Sequence, residues 1–342
     1  MRVLSVVDTT AGSDNGHNRA LSKRKEPHPM SSTRLRRLTR VALAGLAGLG
    51  LTVGSAAAAT GAGATTVSVP HYSFSTHFDP ADPTFNQFLA INDAGVIAGY
   101  FGIGNADHPN KGYTFGRPYG VGDFVDENFP GSVQTQVTGI NDSGTTVGFY
   151  ADAAGDNFGW VRRGQTWTVV IDPHTTGTIN QLLGTNDHGL AVGFYTDAAG
   201  HDHSYVFDFH DDSFLPVNIP GALDVTATGI NDRGEICGFY NKPGGPTLGF
   251  LLEDGHLTSF AIRHSSSTMP AGINDAGTVV GTYAGANPKD TLSFVWQDGS
   301  ATTVADPEGL LTTDVNGINN HGDLVGFYTD AAGNVVGFEA LP

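Results

Sequence analysis

Carboxylates, imidazoles and amides, which are able to bind ligands or take part in catalysis, lie in the segments of this chain that differ most from one another. Asp172 and His174 follow one run of strand-forming residues, and Asp224 and Asp306 lie in comparable connections further along. Carboxylates that converge on one point can hold a cation or act as an acid and base pair. The predicted ligand-binding residues, which include three nearby glutamines, are Gln87, Gln136, Asp172, His174, Gln181, Asp224 and Asp306.

The densest potential metal cluster is His201-Asp202-His203, since two histidines separated by one residue share a face of a strand. The spacing identifies no third ligand, so a solvated loop is the competing interpretation. Asp-Ala-Ala-Gly occurs at 152, 197 and 330, and it suits a hairpin turn as well as a cation site. It lacks the Asp-x-Asp-x-Asp-Gly alternation of dedicated calcium loops, so no cofactor is identified and only weak calcium binding is conceivable.

The elements that must position these side chains come from a repeated phrase, Gly-Ile-Asn-Asp-Ser-Gly-Thr-Thr-Val-Gly-Phe-Tyr at 139–150. Its asparagine recurs with separations of 49, 45, 45, 43 and 45 residues. A fixed period in this range is typical of a repeat architecture. The six copies of the asparagine are Asn92, Asn141, Asn186, Asn231, Asn274 and Asn319.

Each repeat predicts four short antiparallel strands, a to d, of which a and b are joined by the tight Asn-Asp-x-Gly turn. Four-stranded units of about 45 residues predict an all-β fold, a six-bladed β-propeller of four-stranded blades. The last copy lacks strand d, whereas Tyr72 to Asp79 reads as a spare strand d before the first copy. We therefore expect the N-terminal strand to close the ring, which an open solenoid would not need.

Two kinds of position recur inside the strands. A glycine lies seven residues after every anchor asparagine, as at Gly148, and it predicts close approach by another group. One set of aromatics follows two residues later, as at Tyr150, and another lies on strand c, as at Trp160. Both sets are interpreted as core between blades. Cys237, the single cysteine, replaces a valine of the phrase and is expected to be buried.

The first 59 residues differ in composition from the rest of the chain, with nine Lys and Arg but three acids. From Met30 they resemble a secretory signal, with a basic start, a short apolar run and small residues at 56–59. We predict an N-terminal extension and signal peptide over 1–59, and a single propeller domain over 60–342 that is secreted, either extracellular or periplasmic. The predicted domain carries 31 acids against 8 Lys and Arg, a net charge near −23, which disfavours nucleic-acid binding.

The repeat phrase, followed by Asp-x-x-Gly and a glycine–aromatic pair, resembles the bacterial secreted HAF-repeat proteins, also called extracellular repeat proteins. The resemblance covers nearly all of 86–342. The His-Ala-Phe triplet that names the family is replaced here, for example by Phe158-Gly159-Trp160. The resemblance implies an exported repeat protein and brings no catalytic residue.

The predicted function is a non-catalytic binding or interaction module outside the cell, with a glycan or another surface protein as its partner. The chain contains no Gly-x-Ser-x-Gly nucleophile elbow. The alternative is an extracellular polysaccharide hydrolase or lyase that uses carboxylates at the propeller mouth, and a purely structural repeat protein is a third option. We expect a monomer whose mature form has no membrane span.

Overall fold

The fold is an all-β propeller of six four-stranded antiparallel sheets, which confirms the predicted class. The computed structural model describes residues 72–285, 290–309 and 312–342, and these contain strands and no helix. The predicted signal segment and the predicted boundary at residues 59 and 60 lie outside the described residues.

Strand a is the first strand of each blade and b, c and d follow it in order, as expected from the turn chemistry. The a strands are β2 Asn86–Ile91, β6 Gln134–Ile140, β10 Asn180–Thr185, β14 Asp224–Ile230, β18 Thr268–Ile273 and β22 Asp314–Ile318. The b strands are β3 Ile97–Phe101, β7 Thr146–Ala151, β11 Leu190–Thr196, β15 Ile236–Asn241, β19 Val279–Ala284 and β23 Leu324–Thr329. The c strands are β4 Lys111–Phe115, β8 Asn157–Arg163, β12 Asp202–Asp208, β16 Thr247–Glu253, β20 Thr291–Gln297 and β24 Val335–Leu341. The d strands are β5 Phe124–Asp126, β9 Thr166–Val170, β13 Ser213–Val217, β17 His256–Phe260, β21 Ser300–Val304 and, from the N-terminal side, β1 Ser73–His77.

The ring is closed by β1, which pairs antiparallel with β24 as the fourth strand of blade 6. Phe74 packs against Phe338 at 5.3 Å between ring centroids. Between blades 6 and 1, Arg117 of blade 1 forms an ion pair of 2.7 Å with the buried Glu339. The predicted closure is therefore confirmed, and it covers the edge that β24 would otherwise expose.

A β-bulge in every inner strand explains the repeated glycine. In blade 2 the register shifts between Val137 and Gly139, so Thr138 is the extra residue. A Cβ built on Gly148 would overlap the carbonyl oxygen of Gln136, and the same overlap recurs at Gly99, Gly193, Gly238, Gly281 and Gly326. The close approach was correctly predicted, although the group that approaches is the carbonyl of the paired inner strand as well as an aromatic ring.

The strand c aromatics are fully buried between blades, as predicted. They are Tyr113, Trp160, Tyr205, Phe250, Phe294 and Phe338. The aromatics at the end of strand b are more exposed than expected, because four of the six are only half-buried. Tyr150, for example, stacks on Phe129 from the connection after blade 1, with ring centroids 4.0 Å apart. Cys237 is fully buried, as expected.

The a–b turns are joined into two closed hydrogen-bonded rings. Asn141 Nδ2 donates to the Asn186 carbonyl at 2.9 Å, and the same bond links every pair of neighbouring blades until Asn319 donates to Asn92 at 3.2 Å. The Asp142 carboxylate accepts from the backbone N–H of Asp93 in the preceding blade at 2.7 Å, and this contact also recurs around the ring. The structural role predicted for the Asn-Asp pair is confirmed, but the Asp bonds to the neighbouring turn and not to its own.

Candidate functional site

The three predicted glutamines occupy the same position in successive inner strands. Gln87, Gln136 and Gln181 pair with equivalent residues of strand b, and all three are buried. Gln87 Oε1 accepts a 2.6 Å hydrogen bond from the Tyr100 hydroxyl, and Gln181 Nε2 donates to Asn157 at 2.8 Å. The Gln87 and Gln181 amides thus join strands. Gln181 Oε1 is buried and has no hydrogen-bond partner among the described residues.

Asp314, which sequence reasoning missed, occupies the same position in blade 6. Its carboxyl is buried, and burial raises its pKa to about 7. A carboxyl with such a pKa carries a proton over part of the neutral range. Aligning the copies by their anchor asparagines places Asp314 level with Gln87, Gln136 and Gln181, so the sequence did contain the signal.

Asp172 and Asp306 lie in connections between blades, where they fix two similar Asp-Pro loops. Asp172 Oδ1 accepts from the His174 backbone N–H at 2.8 Å, and the exposed His174 ring lies 2.9 Å from the same oxygen. Asp306 Oδ1 accepts from the Glu308 N–H at 2.8 Å. Both aspartates are almost fully buried, and burial raises the pKa of Asp306. The structure does not test their role in ligand binding, which stays a prediction.

Asp224 belongs to a group of titratable side chains shared by blades 3 and 4. His201 Nδ1 lies 3.0 Å from Asp224 Oδ1, and the Asp202 backbone N–H donates to the same oxygen at 3.2 Å. Burial, with Asp224 as a like charge nearby, raises the pKa of Asp202 to about 6. His203 instead pairs with Asp197, 3.0 Å away. The two histidines of the potential metal cluster therefore have different carboxylate partners.

One cavity lies on the propeller axis at the end formed by the a–b turns. It has a volume of about 110 Å³ and is lined by five consecutive residues from each blade, such as 138–142 of blade 2. The two hydrogen-bonded turn rings surround it. Burial, followed by the charges of Asp93 and Asp187, raises the pKa of Asp142 in this ring.

A second cavity of about 270 Å³ lies between blades 1 and 2. Glu127, at the end of strand d of blade 1, lines it and is 2% exposed. Arg162 Nη1 of blade 2 lies 2.9 Å from one carboxylate oxygen, and the Thr146 hydroxyl donates to the other. Burial raises the pKa of Glu127, whereas these two partners act in the opposite direction. The Arg162 Nε atom is buried without a hydrogen-bond partner.

The interface between blades 1 and 2 carries polar side chains where four other interfaces are apolar, and in the interface between blades 6 and 1 His77 takes the position of Glu127. Strand pairing makes Glu127 and Thr146 equivalent to apolar pairs that pack together in four other interfaces. These pairs are Val170 with Ala191, Val217 with Ile236, Phe260 with Val279 and Val304 with Leu324. The equivalents of Arg162 are Phe115, Phe207, Leu252, Trp296 and Ala340.

This cavity was not predicted, because the predicted site residues lie in loops or near the start of inner strands, whereas Arg162 lies on strand c. The signal was a polar residue at a strand position that is apolar in every other copy. Glu127 carried a similar signal, since it lies three residues before Pro130, whereas valines lie three residues before Pro173, Pro220 and Pro307.

Within the described ranges, no three His, Cys, Asp or Glu side chains are arranged to hold one metal ion. The same ranges contain no helix that is long and apolar enough to cross a membrane.

Comparison with known proteins gives a shared architecture. No protein-family model matches the chain, and no curated protein matches it. TolB from Acinetobacter baumannii is similar in structure, with a TM-score of 0.51, 12% identity and coverage of 70% of this chain and 66% of that one. A putative TolB from Agrobacterium tumefaciens has a TM-score of 0.51 and 12% identity, and the match covers 76% of this chain and 92% of that one. Aleuria aurantia lectin in complex with Fucα1-6GlcNAc has a TM-score of 0.48 and 10% identity, and the match covers 78% of this chain and 93% of that one. At these identities the likeness shows the propeller fold alone.

Proposed function

We propose that this protein is a secreted, non-catalytic binding module of the HAF-repeat type, which recognises a glycan or another protein outside the cell. The observation that carries the proposal is the cavity between blades 1 and 2. It is a preformed concave site on rigid strands, lined by both apolar and polar groups, as small-molecule sites generally are.

The geometry of this cavity suits recognition better than chemistry. Both carboxylate oxygens of Glu127 are engaged, one by Arg162 and the other by Thr146. A general acid or base must be within reach of the proton that it transfers, and both oxygens of this carboxylate already accept from protein donors. The same pair offers fixed hydrogen-bonding groups to a ligand without losing its own bonds.

A second function, the hydrolase or lyase, is favoured by one specific observation. Burial, with the Asp224 charge nearby, raises the pKa of Asp202 to about 6. A carboxyl group with such a pKa can act as a general acid near neutral pH. The bonds of Asp224 to the Asp202 backbone and to His201 instead suit a group that fixes two neighbouring loops.

The proposal is tested with a glycan array probed by the purified protein, with and without calcium, followed by recovery of any bound glycan. Retention of an intact glycan supports a binding module. Release of shortened or unsaturated products that stops in Asp202→Asn would instead support the enzyme. Retention that depends on calcium would support the weak calcium binding that the sequence allows.

A further inference from the structure

We propose that the cavity between blades 1 and 2 binds a single neutral sugar unit, held by hydrogen bonds from Arg162 and to Glu127. This rests on the proposed function and assigns its ligand class. The buried pair is not needed for the fold, because apolar pairs occupy the equivalent place in four other interfaces. A buried ion pair is often no more stable than an apolar replacement, so a role other than stability accounts for its presence.

The charges in the cavity select against an ionised ligand. An anionic ligand would lie beside Glu127, and a cationic one would lie beside Arg162, whose guanidinium already balances that carboxylate. Either ligand would leave one buried charge unbalanced, which is costly. A neutral ligand leaves the ion pair intact.

The hydrogen-bonding groups select for hydroxyls. Arg162 Nε–H is a buried donor without a hydrogen-bond partner among the described residues, so it requires an acceptor. Each Glu127 oxygen has one protein donor and retains capacity to accept from another. A hydroxyl group both donates and accepts, so two neighbouring hydroxyls of a sugar satisfy the arginine and the glutamate together.

The shape and walls of the cavity fit one sugar ring. Its volume of about 270 Å³ is below that of sites for drug-sized ligands, which begin at roughly 300 Å³. Val96 and Ile140 line it and can contact the C–H face of a ring. The Arg162 guanidinium lies over the Trp167 ring at 5.3 Å, which holds it in place.

The test measures binding of methyl glycosides to the full chain by saturation-transfer NMR, followed by calorimetry. The panel contains neutral hexoses, deoxyhexoses and N-acetylhexosamines beside hexuronic acids. We expect a neutral glycoside to bind at millimolar concentration or below and the hexuronic acids to bind at least tenfold more weakly. Arg162→Lys should weaken binding at least tenfold, because it removes Nε–H and keeps the charge. Arg163→Lys on the exposed neighbour should leave binding within twofold.

A triple variant separates binding from folding. The variant that combines Glu127→Val, Thr146→Ala and Arg162→Phe copies the blade 2–3 interface. This variant should melt no lower than the wild type and should lose binding. Full binding by this variant or by Arg162→Lys would overturn the site, and tighter binding of hexuronic acids would overturn the ligand class. A panel in which no neutral glycoside binds would also overturn it. A different result would refute the proposed function, namely array and enzyme assays in which the protein cleaves the glycan.

Discussion

Gly148, which pairs with the bulged inner strand of blade 2, gives the sharpest test of how the inner strands are held. In Gly148→Ala the new Cβ would overlap the Gln136 carbonyl oxygen and lie 2.8 Å from Trp160 Cζ2. Neither group can move freely. The carbonyl belongs to the bulged strand, where the Thr138 hydroxyl donates to the Leu182 carbonyl of the next blade at 2.8 Å, and Trp160 is fully buried.

The expected cost of Gly148→Ala combines two effects. Overpacking costs about 1–3 kcal/mol, and loss of the inter-blade hydrogen bond costs about 1 kcal/mol. We expect a loss of about 3 kcal/mol in the free energy of unfolding, which corresponds to a fall of about 6 °C in Tm for a domain of this size.

Urea unfolding and thermal melting followed by circular dichroism measure this loss. Gly122→Ala is the matched control, because nothing lies within 4 Å of its added Cβ and its φ is outside the left-handed region. It should change the free energy of unfolding by less than about 0.5 kcal/mol. If Gly148→Ala has the same Tm as the control variant, the close contact with Gln136 does not constrain the strand.

Three further predictions concern charge, the turn ring and closure. Burial raises the pKa of Asp314 to about 7. The folded protein therefore holds this proton more tightly than the unfolded chain, and the contribution of Asp314 to stability falls as the pH rises from about 4 to about 7. Urea titrations of Asp314→Asn should show a flatter fall, because this variant should be more stable than the wild type at pH 8 but not at pH 4. Asn141→Ala removes its bonds to Asn186 and Thr145 and should cost about 1–3 kcal/mol, whereas Asp142→Asn should be nearly neutral by thermal melting because blade 6 already has an Asn there. Deleting residues 60–80 removes β1 and should lower Tm and promote association through the exposed β24 edge, and unchanged melting would contradict the closure.

Local chemistry in the sequence was sufficient to predict the architecture. The Asn-Asp-x-Gly turns, their spacing and the missing final strand d predict six blades closed by an N-terminal strand, because each depends on backbone geometry that a short segment specifies. The buried aromatics of strand c also followed from their regular recurrence.

The sites could not be derived in the same way, because they depend on which blades become neighbours. Asp142 accepts a bond from Asp93, 49 residues away, and this becomes possible only when blades 1 and 2 pack together. Arg162 differs from its apolar equivalents in the sequence, but nothing there shows that it meets Glu127, since one lies on a strand of blade 2 and the other ends a strand of blade 1. Packing of the two blades buries Glu127, pairs it with Arg162 and leaves a cavity beside them, so the sequence by itself determined the propeller and only the tertiary structure created the site.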